Sequence, residues 1–422
     1  MGLNIKTSEI GKWMAPIIAA LIVLGTSNRI FALLALVLGA LAIVFSDLEA
    51  SLAVLMFLLP FSNIFKMSPG SQSFFTYLLL FYVFFALCII KRKIDKGFLI
   101  TTFIFVVILL VQSYNSFNVL RTIKFIANIF LIYVSMSFDL KKHHKNIFMF
   151  YIFGVVVSSF VANLGLISNL TDYIATKDLG LKNDWLIRFS GLYGDPNYYA
   201  VNVIAAMCLV IILLHKKEIS VILAYPLIGV FAYFSIITYS KSALLMLAFP
   251  AMFFVYSTLR RKKYFWTIAF VVLLVVFGQK VLSGQIDILD VILKRFSEGN
   301  GDVTTGRSGS WEVYLTFFRD NTAKFAIGSG LGAEILGGKA PHNTYIDFLY
   351  YTGVLGTLLF VLTLFAMPKS SMPNEKRNVM NFSVAICIAV MYFFLSEIFY
   401  IDLPFHLILA MYAYYLPLNE RR

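Results

Sequence analysis

Apolar runs of membrane-spanning length recur along almost the whole chain, from Trp13 to Pro417, broken by short joins rich in lysine and arginine. A bilayer core of about 30 Å needs about twenty apolar residues per helix. Lipid offers no partner to an unpaired backbone amide, so each run is expected to close its hydrogen bonds within a helix. In the first half the runs fall at 13–27, 30–46, 48–65, 73–90, 97–113, 117–137 and 147–168. The second half adds 198–214, 219–238, 242–259, 264–281, 343–367, 379–398 and 401–417. The expected fold is therefore all-α: a polytopic helical membrane protein with about fourteen spans, or about twelve if the shortest runs do not cross. At 60% hydrophobic and 14% charged residues the chain is too apolar for water to be its main solvent. The first run is read as an uncleaved helix, because another span follows it at once without a cleavage region.

Orientation follows from lysine and arginine, which are retained on the cytoplasmic side. With the N-terminus inside, the cytoplasmic segments carry Lys6 and Lys12; Lys91, Arg92, Lys93 and Lys96; Lys141, Lys142 and Lys145; and Lys216 and Lys217. Arg260, Arg261, Lys262 and Lys263 follow, then Lys369, Lys376 and Arg377, and finally Arg421 and Arg422. The short outer joins hold only Arg29, Lys66 and Lys241. Both termini are expected inside. The formal charge of +13 is thus mostly a topology signal, and no nucleic-acid partner is needed to explain it.

The whole chain, 1–422, reads as one integral membrane domain with two long outer segments, 169–197 and 282–342, the second a large extracytoplasmic loop. Function is expected in those loops. Cys88, Cys208 and Cys387 lie in apolar runs and supply neither a disulfide framework nor a metal-ligand pattern. No internal repeat or matched pair of broken helices suggests a transporter, and the middles of the spans lack Asp, Glu and His. Glu397 and Asp402, near span ends, are expected to face the outer surface.

Several polar positions stand out against this background. Arg121 and Lys124 open the sixth span, with Asn128 on the same helical face; either they line a cavity for an anion or they snorkel to lipid headgroups. Arg188 precedes Asp195, Pro196 and Asn197 at the mouth of the eighth span. There Asp195 suits a helix N-cap, Pro196 suits the first helical position, and a guanidinium beside a helix start makes an anion site. Lys241 sits in the tight turn Tyr239–Ser242, as an anchor or a further cation. The large loop carries Arg295, Gly306, Arg307 and Trp311, then Gly328, Gly330 and Gly332, and ends in His342 and Asn343. The glycine run is read as a tight turn, since no strand or Lys-Ser/Thr accompanies it. Trp311 is open to two readings, an interfacial anchor or a platform for a sugar ring.

The segment His342, Asn343, nine residues, Gly353, two residues, Gly356 resembles the H-N-x9-G-x-x-G signature of the O-antigen ligase and O-antigen or capsule polymerase family. Gly306, Arg307, Trp311, the glycine run and Arg188 with Asp195, Pro196 and Asn197 extend the similarity over about 185–360. The first half matches only in hydropathy and in Arg121 with Lys124. The resemblance implies a GT-C-like membrane glycosyltransferase in the bacterial cytoplasmic membrane. It would act on polyprenyl-pyrophosphate-linked glycan donor and acceptor at the outer leaflet, with other polysaccharide-assembly membrane proteins as further partners.

Such chemistry needs a base for the attacking hydroxyl and positive charge for the departing pyrophosphate. His342 is the candidate base, with Glu298 or Glu312 as second choices, and Asn343 is expected to orient it or the sugar. Arg121, Lys124, Arg188, Arg295 and Arg307 are expected around the pyrophosphate, guanidinium forks matching phosphate oxygens. No metal and no cofactor is expected, because the loop acids show no ligand spacing. The leading expectation is a polymerase of lipid-linked repeat units for O-antigen, capsule or exopolysaccharide. A ligase passing finished polymer to an acceptor shares the donor chemistry, and a lipid or polysaccharide flippase is the alternative of another class.

Overall fold

The structure is a computed structural model that describes residues 7–90, 95–112, 118–167, 170–173, 188–260, 307–367, 382–395 and 402–416, with isolated positions between 262 and 279. The first half contains α1 (Thr7–Gly25), α2 (Arg29–Val44), α3 (Leu48–Leu58) with a 3₁₀ turn at Leu59–Phe61, α4 (Phe74–Ile89), α5 (Lys96–Gln112), α6 (Val119–Met136), α7 (Leu140–Asn163) and the short α8 (Leu170–Tyr173). The second half contains α9 (Pro196–His215), α10 (Val221–Ile236), α11 (Lys241–Arg260), α12 (Arg307–Asp320), α13 (Thr322–Ile327), α14 (Thr344–Phe365), α15 (Ser383–Tyr392) and α16 (Asp402–Tyr415). Among the described residues the only β feature is a single bridge between Lys66 and Ser73. Among the described residues five helices, α6, α7, α9, α11 and α14, are long and apolar enough to cross a membrane, and shorter apolar helices coincide with most of the other expected spans. The expected span at 264–281 lies mostly outside the described residues.

Polar side chains start many of these helices. Asn28, Ser73, Asn118, Asp195, Ser220 and Asn343 each accept a hydrogen bond from a first-turn amide. In a membrane protein such caps satisfy amides that hydrocarbon would leave bare.

The burial pattern is that of a bundle surrounded by lipid. On α2 the large side chains Ile30, Leu33, Leu34, Val37, Leu41 and Val44 point outward. Its small residues Ala32, Ala35, Gly39 and Ala42 face the interior, so that Gly39 nearly touches Leu78. Small inward residues let helix backbones approach closely, which is how helices associate when both surroundings are apolar. Gly154 on α7 does the same against the Phe57 carbonyl of α3.

The centre of the second half is α9, whose side chains from Tyr198 to Leu214 are all buried. It is wrapped by α7, α10, α11, α15 and α16. Asn202 gives it a polar centre. Tyr151 donates to Asn202 Oδ1 at 2.9 Å, His406 Nε2 lies 3.1 Å from the same oxygen, and the Tyr392 hydroxyl lies 2.8 Å from His406 Nδ1. A neutral imidazole with Nε2–H donating and Nδ1 accepting satisfies all four groups and joins α7, α9, α15 and α16.

A kink in α14 ties the large loop to this bundle. Gly353 has φ +66° inside the helix, and the carbonyls just before it accept from outside the helix. Ser329 N–H donates to Tyr350 O at 2.8 Å, Gly330 N–H to Tyr351 O at 3.0 Å and Gln112 Nε2 of α5 to Thr352 O at 3.2 Å. The backbones are so close that a Cβ at Gly353 would stand 2.3 Å from the Gly328 nitrogen. The Gly328–Gly332 run makes the expected tight turn, with Ala333 N–H donating to Gly330 O at 3.1 Å, and is also a backbone clasp on α14. Gly353→Ala is expected to destabilise the protein by about 3 kcal/mol or more, from both the φ and the displaced clasp. Gly337→Ala, at φ +59° with open space around it, should cost about 1–2 kcal/mol. Thermal unfolding of the two purified variants checks the contrast.

Candidate active site

The described part of the large loop is helical. Helix α12 leads from Arg307 to Asp320, and its Trp311 indole N–H donates to Pro341 O at 2.7 Å while the ring meets Phe393 edge-on at 5.2 Å. Trp311 is therefore a strut between α12, the residue before His342 and the end of α15. Neither of the roles expected from sequence accounts for these two contacts.

Arg307 lies one turn before Trp311 on the same face of α12. Its guanidinium carbon stands 5.7 Å from the Phe394 ring centre. Burial pulls its pKa below the ordinary value, and the nearby Asp195 carboxylate and Tyr198 act in the opposite sense. A guanidinium stays charged even so, which makes Arg307 a desolvated cation beside the start of α9.

His342 is exposed and has φ +48°, a left-handed conformation that is uncommon for a residue with a Cβ. It is fixed from both sides. Pro341 is held by Trp311, and Asn343, almost fully buried, caps α14 by accepting from Tyr345 N–H at 3.0 Å and Ile346 N–H at 3.2 Å. Thr344 also donates to Leu395 O at 2.7 Å. Asn343 thus orients His342 through the backbone, by fixing the helix start. Non-glycine residues held at such φ values concentrate at functional sites.

The described residues 188–197 lie on the other side. Asp195 caps α9, accepting from Asn197 N–H at 2.6 Å, and Asn197 Oδ1 accepts from Ser240 at 2.6 Å. Arg188 Nε donates to Thr238 O at 3.0 Å, just past the end of α10, so this guanidinium serves a helix C-terminus. Lys241 is the first residue of α11, half-buried beside that turn. Arg188 and Asn197 thus meet the turn between α10 and α11, Asp195 and Arg307 complete a rim with them, and Trp311 ties the helix of Arg307 to the residue before His342.

Arg121 and Lys124 stand elsewhere. Arg121 Nη1 donates to Leu331 O at 3.2 Å, in the clasp that grips Tyr350 and Tyr351 of α14. With Gln72, Asn118, Leu120, Phe125 and Asn128, these two cations line a separate cavity of about 230 Å³. Arg295 and Glu298 lie outside the described residues, while Glu312 is exposed on α12.

Two acids were misjudged from sequence. Asp402 does not face the outer surface: it is 4% exposed, packed beside Tyr193 under the first loop. Glu397 lies outside the described residues. Asp347, also buried, occupies the first turn of α14 four residues after Asn343, close to Tyr314 and Tyr351. An acid one turn beyond the His342–Asn343 pair was the available signal, and it passed unnoticed inside an apolar run.

Comparison with known families matches residues 226–361 to the family model described as O-antigen ligase. Those residues are similar to the O-antigen ligase family. The matched segment runs from α10 into α14 and contains Lys241, Arg307, Trp311, His342, Asn343, Gly353 and Gly356, whereas Arg121, Lys124, Arg188, Asp195 and Asn197 lie before it. Neither a curated protein nor a solved structure matches the chain. The matched segment supplies both backbones of the clasp and Arg307, and the preceding residues supply Gln112, Arg188, Asp195 and Asn197.

Asn343→Ala is expected to lose about 1 kcal/mol of stability with the cap, whereas Asn343→Asp, which keeps the acceptor, should melt close to the parent. Thermal unfolding of the pair measures this.

Proposed function

We propose that this protein is a membrane glycosyltransferase that polymerises polyprenyl-pyrophosphate-linked oligosaccharide repeat units into a surface polysaccharide. It works at the outer leaflet of a bacterial cytoplasmic membrane, from a bundle of about fourteen spans with both termini inside. One observation carries the reading: an exposed His342 at φ +48°, with clamps on both neighbours, is tied through Pro341 and Trp311 to the helix that carries the half-buried cation Arg307.

The chemistry follows from those two groups. The His342 imidazole takes the proton of the acceptor hydroxyl as its oxygen attacks the anomeric carbon of the donor sugar. The bond from that carbon to the phosphate oxygen breaks, and polyprenyl pyrophosphate leaves with the electron pair, its charge met by Arg307 and Arg188. A neutral imidazole is a competent base near physiological pH without a metal. Arg307, half-buried and so partly desolvated, stabilises charge more than it could in open solution.

A second reading, transfer of finished polymer to an acceptor, is favoured by the family description, O-antigen ligase. A loss-of-function strain separates the two. Loss of a polymerase leaves single repeats on the cell surface, and loss of a ligase leaves polymer unattached.

His342→Ala is expected to lower transfer by about 10²–10⁴-fold in a detergent assay with a defined lipid-linked donor, with unfolding temperature unchanged. Near-normal product from His342→Ala would falsify the base assignment. Arg307→Lys should also slow the reaction, because an ammonium cannot reproduce the planar fork, and EDTA should leave the parent rate unaltered.

A further inference from the structure

The cations that sequence reasoning gathered around one pyrophosphate fall into two groups. Arg307 stands beside the residues that hold His342, at the N-terminal end of α14. Arg121 reaches the clasp at the level of Tyr351, because it binds Leu331 O while the adjacent Gly330 binds Tyr351 O. Thr344 and Tyr351 are seven residues apart on a helix that is unbroken until Gly353. At 1.5 Å per residue that separates the two levels by about 10 Å. The scissile bond joins the anomeric carbon directly to a phosphate oxygen, so the pyrophosphate of a donor reacting at His342 lies at the His342 level. It does not also fill the Arg121 cavity.

That cavity has its own chemistry. Arg121 and Lys124 sit one turn apart on α6 with Asn128 one turn further, and Gln72 and Asn118 complete the polar wall. Two neighbouring cations with three carboxamides, and no carboxylate among the described residues that line the space, suit a phosphorylated headgroup bearing hydroxyls. The mouth identifies the kind of molecule. Leu120 lines the cavity, and Val119, Leu120 and Ile123 are all strongly exposed on the outer surface of α6. An apolar strip beside a cationic cavity fits a ligand whose chain stays in lipid while its charged head turns inward.

We propose that the Gln72–Asn118–Arg121–Lys124–Asn128 cavity is a second substrate site, which holds the phosphorylated lipid head of the acceptor glycan while the donor occupies the His342–Arg307 site. This rests on the transferase reading above. The shared chemistry is a phosphoryl group on a lipid-linked glycan, whether a polyprenyl pyrophosphate, as a polymerase requires, or a phosphorylated glycolipid, as a ligase would use.

The test is binding stoichiometry with farnesyl pyrophosphate, a sugar-free probe that cannot turn over, measured by calorimetry on the purified full chain in detergent. The parent and His342→Ala should bind two equivalents, and Arg307→Gln one. Lys124→Gln, which leaves the Arg121–Leu331 contact in place, and the double variant Arg121→Gln/Lys124→Gln should each lose one equivalent or weaken it at least tenfold. One equivalent in the parent overturns the proposal, as does undiminished two-site binding in both cavity variants. Displacement of the second equivalent by excess phosphatidylglycerol also overturns it, by marking a general membrane-lipid site. Displacement by a phosphorylated glycolipid but not by phosphatidylglycerol supports the site and assigns it to the ligase-type acceptor. Failure of the transferase reading shows separately, as transfer retained by His342→Ala, whatever the stoichiometry.

Discussion

Three backbone carbonyls set free by one glycine organise the part of this protein that carries the site. At Gly353 the helix α14 breaks, and the oxygens of Tyr350, Tyr351 and Thr352 accept from Ser329, Gly330 and Gln112. Left bare in a membrane, each would cost several kcal/mol, so the break persists only because loop and neighbouring helix supply donors. The large loop is thereby fastened to the bundle by main-chain contacts, which do not depend on its side chains. Everything attached to that loop, the Trp311 strut and the Arg121 contact included, inherits its position from the clasp.

The site is built by capping as much as by packing. Asp195 and Asn343 start the two helices that flank it, and Arg188 ends a third. Residues that sequence reasoning assigned to ligands thus hold backbone groups in this structure, and the two roles are compatible. A capped helix start points amides and partial positive charge toward its mouth. The rim around Arg307 gains partial positive charge from the start of α9, while Arg188 offsets the carbonyl end of α10.

What was legible in the sequence was whatever a local pattern encodes. Hydropathy marked the spans, and the spacing of His342, Asn343, Gly353 and Gly356 marked a segment that has a physical rationale: a cap, a helix break and a close approach. Asp195 and Pro196 were legible as a helix start for the same reason. Contacts between distant segments were not legible. Nothing near Trp311 announces that its indole meets Pro341, and the Gly328–Gly332 run cannot show that its partner lies some twenty residues further on. Asp402 was misplaced because a span end looks the same whether it meets solvent or lies beneath a loop. The distance between Arg121 and Arg307 was not legible either: charge type is visible in a sequence, but separation along a shared helix is not. Arg295 and the span expected at 264–281 fall outside the described residues.

The tetrad of Tyr151, Asn202, Tyr392 and His406 carries a consequence for assembly. Most of the contact between its four helices is apolar, and apolar contact alone specifies depth poorly, since one helix could slide past another by a turn with little loss of buried area. A slide of one turn, about 5.4 Å, would leave an amide, an imidazole and two phenols facing hydrocarbon with nothing to bond. The tetrad therefore acts as a register key. The last helix, made after the other three, can dock at only one height, and that height sets where Asp402 and the ceiling above it come to rest.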